Sequence, residues 1–202
     1  MKTITTAIDK HRLAGLQDGV YSFAMTLLVL ELKLPPLPEQ LTNALLWSAL
    51  LAIWPKLLTW LLSFWVLTVF WTSDSRALQV FTVFDSFLLR LSLCRLALVG
   101  LIPFSTALLG QHGNLSVGAS VYSAHLFLLA GIQVVRNAYS SRHPEVVAWP
   151  TTGAESEATA KGWATLICAG MAFALAFSVP GYNMFALLPL LLFRFTRIFR
   201  SP

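Results

Sequence analysis

The sequence predicts an all-helical membrane protein, and three of its features support this fold class. Hydrophobic residues make up 56% of the 202 residues and charged residues only 11%, whereas about 25% of the residues of a soluble domain are charged. The mean hydropathy is +0.70. Apolar runs of about 20 residues, long enough to cross a bilayer, recur along the chain. A soluble fold of this size could not bury so much apolar surface.

The apolar runs predict six membrane-spanning helices in a single domain, 1–202. Pro35 and Pro36 stop the first run, Pro55 bends or starts the second, and Pro180 closes the fifth, because proline disrupts a helix interior. The polar stretch 138–161 is predicted to be an exposed loop. The predicted spans are residues 15–34, 45–71, 87–109, 117–137, 162–179 and 182–199.

The distribution of lysine and arginine predicts the orientation of the spans. With six spans both termini share one side, and cations concentrate on the cytoplasmic side of membrane proteins. Ten cations against two favour cytoplasmic termini. The first apolar run is too long for the core of a signal peptide, so we expect it to remain as the first span. The cations on the terminal side are Lys2, Lys10, Arg12, Arg76, Arg136, Arg142, Lys161, Arg194, Arg197 and Arg200, and those on the other side are Lys33 and Lys56.

The residues that could carry chemistry do not form a catalytic or metal-binding pattern. The four histidines lack the i, i+4 spacing of a helical metal site, and the chain has no nucleophile elbow, Walker loop or C-x-x-C motif. Cys94 and Cys168 lie inside apolar runs and are expected to pack as small core residues. We therefore expect no enzyme activity, no cofactor, no metal and no nucleic-acid partner, since the excess positive charge follows membrane topology.

A few charged residues lie inside or beside the predicted spans, where charges are costly and often functional. Arg90 is expected to extend towards the interface and Arg95 to pair with a carboxylate, for which Asp18 is one possible partner. No string of acids crosses the membrane, and the paired helix breaks typical of many transporters are missing. A secondary transporter therefore stays open only as a third alternative.

The first span carries one apolar stripe along its length. At 100° per residue, Phe23, Leu27 and Leu30 share a face, with the Thr26 hydroxyl at its edge, while Asp18 points away from it. Such a stripe fits ordinary packing against lipid or helices as well as the wall of a pore. We expect Asp18 to be satisfied by Arg12 or by a polar group of another span.

The same segment resembles the first helix of the transmembrane protein 175 family of potassium channels. The stretch RLAGLQDGVYSFAMTLLVLELKLP matches at Arg12, at Asp18 with Gly19, at Thr26, in the run LLVLE from Leu27, and at Lys33 and Pro35. WLLSFWVLTVFW is similar to the end of the family's second helix, and LVGLIPFSTALLG to the end of its third. The likeness covers residues 12–137 well and the last two helices loosely.

The resemblance implies a single-repeat bacterial channel that assembles as a homotetramer in the inner membrane, with the first helix lining the pore. Potassium would be the permeant ion, with Cs⁺ and Rb⁺ as possible further ones. Carried over by position, the constriction and selectivity residues are Phe23, Thr26, Leu27 and Leu30. The residues that brace the pore helix at its cytoplasmic end are Arg12, Gln17 and Asp18.

The sequence departs from the family pattern in several places at once. Leu16-Gln17-Asp18 replaces Phe-Ser-Asp, Phe23 stands where isoleucine or leucine is usual, and Ser73 and Asp74 stand where the family often has two histidines. These changes leave a second interpretation open, in which the chain is a non-conducting scaffold or channel subunit on the same fold.

Overall fold

The computed structural model of the chain describes residues 10–148 and 153–188, and this part is built of helices joined by short connections and by one longer non-helical segment, 32–42. Five of the helices, all except α2, are long and apolar enough to cross a membrane. The predicted all-helical membrane architecture is therefore confirmed for five spans. The helices are α1 Lys10–Leu27, α2 Asn43–Ala52, α3 Trp54–Val80, α4 Ser86–His112, α5 Ser116–Arg142 and α6 Ala154–Ser178, with 3₁₀ turns at Leu28–Glu31, Pro144–Val146 and Asn183–Leu187.

The predicted second span, 45–71, is divided between two helices. Helix α2 ends at Ala52 and α3 starts at Trp54 with Pro55 in its first turn. Proline lacks an N–H and its ring collides with the carbonyl four residues earlier, so it favours a break at this point and is tolerated in the first turn of α3. The spanning helix α3 then continues nine residues beyond Trp71, to Val80, because polar residues can extend a helix past the apolar part that hydropathy detects.

Much of the stretch predicted as an exposed loop, 138–161, is helical. Helix α5 runs to Arg142, and α6 already starts at Ala154 after Gly153, whose φ of 89° lies in the left-handed region that favours glycine. The polar start of α6 carries an i, i+4 ion pair between Glu157 and Lys161. Of the predicted sixth span, 182–199, the structure describes only a 3₁₀ turn; the remainder lies outside the described residues.

Neighbouring long helices run in alternating directions, which gathers defined chain segments at each end of the bundle. Lys10 donates to the carbonyl oxygen of Phe81 at 3.0 Å, so the start of α1 lies beside the end of α3. Phe81 also forms a β-bridge with Val147, which follows α5. We call this the Lys10 end. A small apolar cluster closes it, made of Leu13, Phe81, Phe84, Leu88 and Val146.

The main core lies between α1, α3, α4, α5 and α6. Helix α6 presents the small residues Ala169, Ala172 and Ala176, all buried, to this core, and small residues let helix backbones approach closely. The approach is tightest near the start of α6, where a Cβ atom on Gly162 would lie 2.9 Å from Nδ2 of Asn137 on α5.

Candidate functional site

Helix α1 has one buried face and one exposed face in the described part of the chain. The exposed face carries Phe23, with 68% of its surface accessible, Thr26, and Leu30 in the following 3₁₀ turn, at 60%; Leu27 is half-buried. The stripe derived from the sequence is thus turned away from the rest of the protomer. The opposite face packs into the bundle through Leu13, Gln17, Tyr21, Ala24 and Leu28.

The Thr26 hydroxyl is turned into the helix as a donor. It donates to the carbonyl oxygens of Ser22 and Phe23, at 3.0 and 2.9 Å. A hydroxyl has a single proton and two acceptor lone pairs. Because the proton is held along the helix, the oxygen at this exposed position acts as an acceptor. An acceptor oxygen between bulky apolar side chains can stabilise a cation that has lost part of its water.

The apolar segment of α1 ends earlier than predicted, since the α-helix stops at Leu27 and a 3₁₀ turn follows from Leu28 to Glu31. The predicted span continued to Leu34. Pro35 and Pro36 follow closely, and the residue before a proline avoids helical geometry, so the helix tightens and stops before it reaches them. The 100° spacing does not apply to Leu30, whose outward position rests on its exposure.

The three residues predicted to brace α1 make unequal contacts. Asp18 accepts a hydrogen bond from the indole N–H of Trp71 at 2.8 Å, and Gln17 donates to the hydroxyl of Ser75 at 3.4 Å. Arg12 is exposed, and no hydrogen bond or ion pair joins it to another described residue. Asp18 and Gln17 therefore tie α1 to α3.

The strongest polar anchor of α1 lies one turn further along, at Asp74 of α3, which is 2% exposed. The hydroxyl of Tyr21 donates to Asp74 Oδ2 at 2.6 Å. Nε of Arg95 on α4 lies 2.8 Å from the same oxygen, and the Arg95 guanidinium packs 5.0 Å from the centre of the Phe70 ring. Three helices thus meet at one carboxylate.

A second arginine completes this cluster from α5. Nη1 of Arg136 lies 2.9 Å from Asp74 Oδ1, and Nη2 donates to Gln133 at 2.6 Å. Two buried guanidinium groups therefore share one carboxylate, which leaves one positive charge in excess. Nη2 of Arg95 and Nε of Arg136 have no hydrogen-bond partner among the described residues.

The sequence pointed to this cluster only in part. It predicted that Arg95 pairs with a carboxylate, and Asp18 was a possible partner; in the structure the partner is Asp74, and Asp18 binds Trp71 instead. Arg136 was counted as a cation of the cytoplasmic side, but it is 5% exposed. The sequence feature that could have indicated Asp74 is a single acidic residue close to the end of the second apolar run.

A set of hydrogen bonds to Asp85, at the Lys10 end, holds the start of α4 in place. Burial raises the pKa of Asp85, but its carboxylate accepts hydrogen bonds from the backbone N–H of Leu88, the hydroxyl of Tyr139 and the backbone N–H of Phe87, and together they hold the pKa below its usual value. Asp85 thus caps α4 and joins it to α5.

With this geometry established, comparison with known proteins identifies the architecture. A sequence model of the family described as "Endosomal/lysosomal potassium channel TMEM175" matches residues 12–103. Over this segment the chain is similar to the TMEM175 family. It holds α1 with its exposed stripe, Asp74 and Arg95, but not Arg136.

Relatives with known names show the same similarity. A potassium channel of Chamaesiphon minutus is 38% identical over 127 residues, which cover 61% of this chain and 62% of that protein. A potassium channel of Streptomyces collinus is 31% identical over 60% of each chain. The chain thus spans about three fifths of the length of these bacterial relatives. The TMEM175 protein of Gallus gallus, described as an endosomal/lysosomal proton channel, is 25% identical over 138 residues, which cover 27% of it.

A solved structure shows that the likeness extends to the whole fold. It is described as a lysosomal potassium-selective channel TMEM175 homolog from Chamaesiphon minutus; it covers 93% of this chain and 97% of its own, with a TM-score of 0.78 and 28% identity. The chain therefore has the fold of a TMEM175 channel. Because the TMEM175 relatives are ion channels, the expectation that the chain is not an enzyme is confirmed.

Proposed function

We propose that this chain is a potassium-selective leak-type channel of a bacterial inner membrane, built as a homotetramer around the first helix. The observation that carries the proposal is the exposed face of α1. Phe23 and Leu30 are more than half accessible on a helix whose other face is packed into the bundle. Four copies that meet around an axis would turn this stripe into the wall of a pore, and the bacterial relatives named potassium channels support that arrangement.

The constriction would consist of stacked apolar layers. Phe23 and Leu27 are separated by four α-helical residues, about 6 Å along the axis, and Leu30 lies about 6 Å further at the 3₁₀ rise. Apolar rings of this kind exclude hydrated ions or gate by dewetting. Potassium gives up its water more easily than sodium does, so K⁺ would pass in preference, with Rb⁺ and Cs⁺ behaving as K⁺ does and Thr26 supplying an acceptor oxygen.

The support of the pore helix would come from its contacts with α3. Gln17 and Asp18 bind Ser75 and Trp71, and Arg12 would complete this bracing through a neighbouring protomer, since it is exposed in one chain. The Lys10 end would face the cytoplasm, because the described cations Lys10, Arg12, Arg76, Arg142 and Lys161 belong to the segments gathered there.

The test is ion flux into liposomes that contain the purified protein, with K⁺, Na⁺ and Cs⁺ compared. Phe23→Ala and Leu27→Ala widen the proposed constriction, so we expect larger flux or a smaller preference for K⁺. Phe177→Ala is the matched control, because this phenylalanine is 61% exposed on α6. Unchanged flux and selectivity in both α1 variants would refute the pore assignment.

The same experiment separates the channel from the scaffold that the sequence left open. Light scattering on the purified protein gives the mass of the assembly, for which we expect four chains. A folded tetramer that passes no ion in the wild-type or variant forms would favour the scaffold. A flux that saturates and requires a coupling ion would favour a transporter.

A further inference from the structure

A cavity of about 430 Å³ opens at the Lys10 end, between the last turns of α3 and α5 and the start of α6. Its volume lies within the range of small-molecule sites, about 300–1,000 Å³. Arg136 and Gln133 form a buried floor, while Arg76 and Gln79 are exposed at the mouth. The pore proposal does not use this cavity, and no residue of α1 lines it.

The wall of the cavity is positively charged. It carries three cations, Arg76, Arg136 and Lys161, and one acid, Glu157. Lys161 and Glu157 form an ion pair at 2.6 Å, so their charges offset each other. Arg76 and Arg136 remain as the positive charge that a ligand in the cavity would meet.

Arg136, which lines the cavity, also has a donor that no described residue uses. Nε of Arg136 is buried and lacks a hydrogen-bond partner in the described part of the chain. Since Arg95 and Arg136 share Asp74, the buried cluster retains an excess positive charge. Buried charges are costly unless they are paired. An anion in the cavity would supply both the acceptor and the missing negative charge.

The depth of the cavity indicates which anions can reach it. Helix α3 has 27 residues, about 40 Å at 1.5 Å per residue, whereas the hydrocarbon core of a bilayer is about 30 Å thick. The last turn of α3, next to Arg76, therefore reaches the headgroup region. Basic pockets between spanning helices at this depth suit lipid phosphates, and the apolar side chains of Ala77, Val80 and Ala158 also line this pocket.

We propose that the cavity binds a phosphate group, supplied by an anionic phospholipid headgroup or by free phosphate. Arg76 and Arg136 bind the phosphate oxygens, and Lys161 adds a third donor at the wall. The site is independent of the pore, so its test uses binding rather than flux and is informative even if the chain does not conduct.

The experiment measures thermal unfolding of the delipidated full chain in neutral detergent. One arm adds phosphatidylglycerol, a second adds phosphatidylcholine, and a third adds inorganic phosphate against chloride at equal ionic strength. A ligand that binds only the folded state raises the unfolding temperature, and above its dissociation constant the rise grows with the logarithm of the ligand concentration. We expect a rise with phosphatidylglycerol that grows with the logarithm of its concentration and identifies the headgroup as the source. An equal rise with inorganic phosphate would support the site and identify free phosphate.

Variants then locate the binding. Arg76→Gln removes one uncompensated cation, worth about 1 kcal/mol near a membrane surface, and should weaken apparent affinity about fivefold. Arg142→Gln makes the same charge change at an exposed position outside the cavity and should leave the affinity unchanged. Three results would overturn the proposal. The unfolding temperature could rise equally with phosphatidylcholine, or it could rise in no arm. Arg142→Gln could also weaken the apparent affinity as much as Arg76→Gln does.

Discussion

The substitution Asp74→Asn tests whether the buried carboxylate holds the bundle together. The Asp74 carboxylate accepts a hydrogen bond from the Tyr21 hydroxyl at 2.6 Å. It also forms ion pairs with Nε of Arg95 at 2.8 Å and Nη1 of Arg136 at 2.9 Å. An asparagine keeps one acceptor oxygen but turns an amide N–H₂ towards guanidinium donors, and it leaves two buried positive charges uncompensated. Removal of one partner from a buried ion pair costs about 3–5 kcal/mol.

For a chain of this size a loss of that magnitude lowers the unfolding temperature by roughly 6–20 °C, measured by circular dichroism of the purified protein in detergent. Asp18→Asn is the control, because Asp18 is exposed and accepts one hydrogen bond from Trp71; its loss should be below about 1.5 kcal/mol. Equal effects of the two variants would refute the reasoning.

A double variant shows whether the cost comes from uncompensated charge. Asp74→Asn with Arg136→Gln removes the second guanidinium together with the carboxylate, so one buried positive charge remains instead of two. Groups in one network typically couple by 0.5–3 kcal/mol, and we expect the double variant to be more stable than Asp74→Asn alone. If the stability losses of the single variants Asp74→Asn and Arg136→Gln simply add in the double variant, the cluster is held by local packing and not by its shared charge.

Two further predictions concern the ties between helices. Asp85→Ala removes the cap of α4 and should lower the free energy of unfolding by about 0.5–2 kcal/mol at pH 7. The folded-state pKa of Asp85 is lowered, so its carboxylate contributes fully to stability above the ordinary aspartate pKa of about 3.9. This contribution is lost as the pH falls through the folded-state pKa. The difference in unfolding temperature from the wild type should therefore narrow between pH 7 and pH 3, and a constant difference would contradict this. Gly162→Leu would press on Asn137 and should cost about 1–3 kcal/mol in the same assay, whereas Gly100→Leu, with open space around its Cα, should cost less.

Hydropathy predicted where the spans lie but not where the helices end. It placed the end of the second span at Trp71, although the backbone continues as α3 to Val80. The nine extra residues include a polar run from Thr72 to Arg76, which lowers hydropathy without breaking hydrogen bonds along the helix. Gly153 and the Glu157–Lys161 pair likewise start α6 within a segment that hydropathy assigned to a loop.

The two faces of α1 could be derived from the sequence, whereas its buried partners could not. Helical periodicity is a local property, so the stripe that includes Phe23 follows from residue spacing alone. The pairing of Arg95 with Asp74 depends on the register between α4 and α3, and this register is determined by packing over many residues. Asp18 was the possible partner named from the sequence, and Asp74 is recognised only once the register between the helices is known.

The excess positive charge around Asp74 accounts for both the energetic cost of the buried cluster and the affinity proposed for the cavity. Arg136 contacts Asp74 on one side and lines the cavity on the other, and Asp74 in turn holds Tyr21 of α1. Because Arg95 and Arg136 share this one carboxylate, one positive charge in the cluster has no partner. The second arginine adds desolvation cost without a second carboxylate, so its presence is explained best if an anion outside the protein chain completes the pairing.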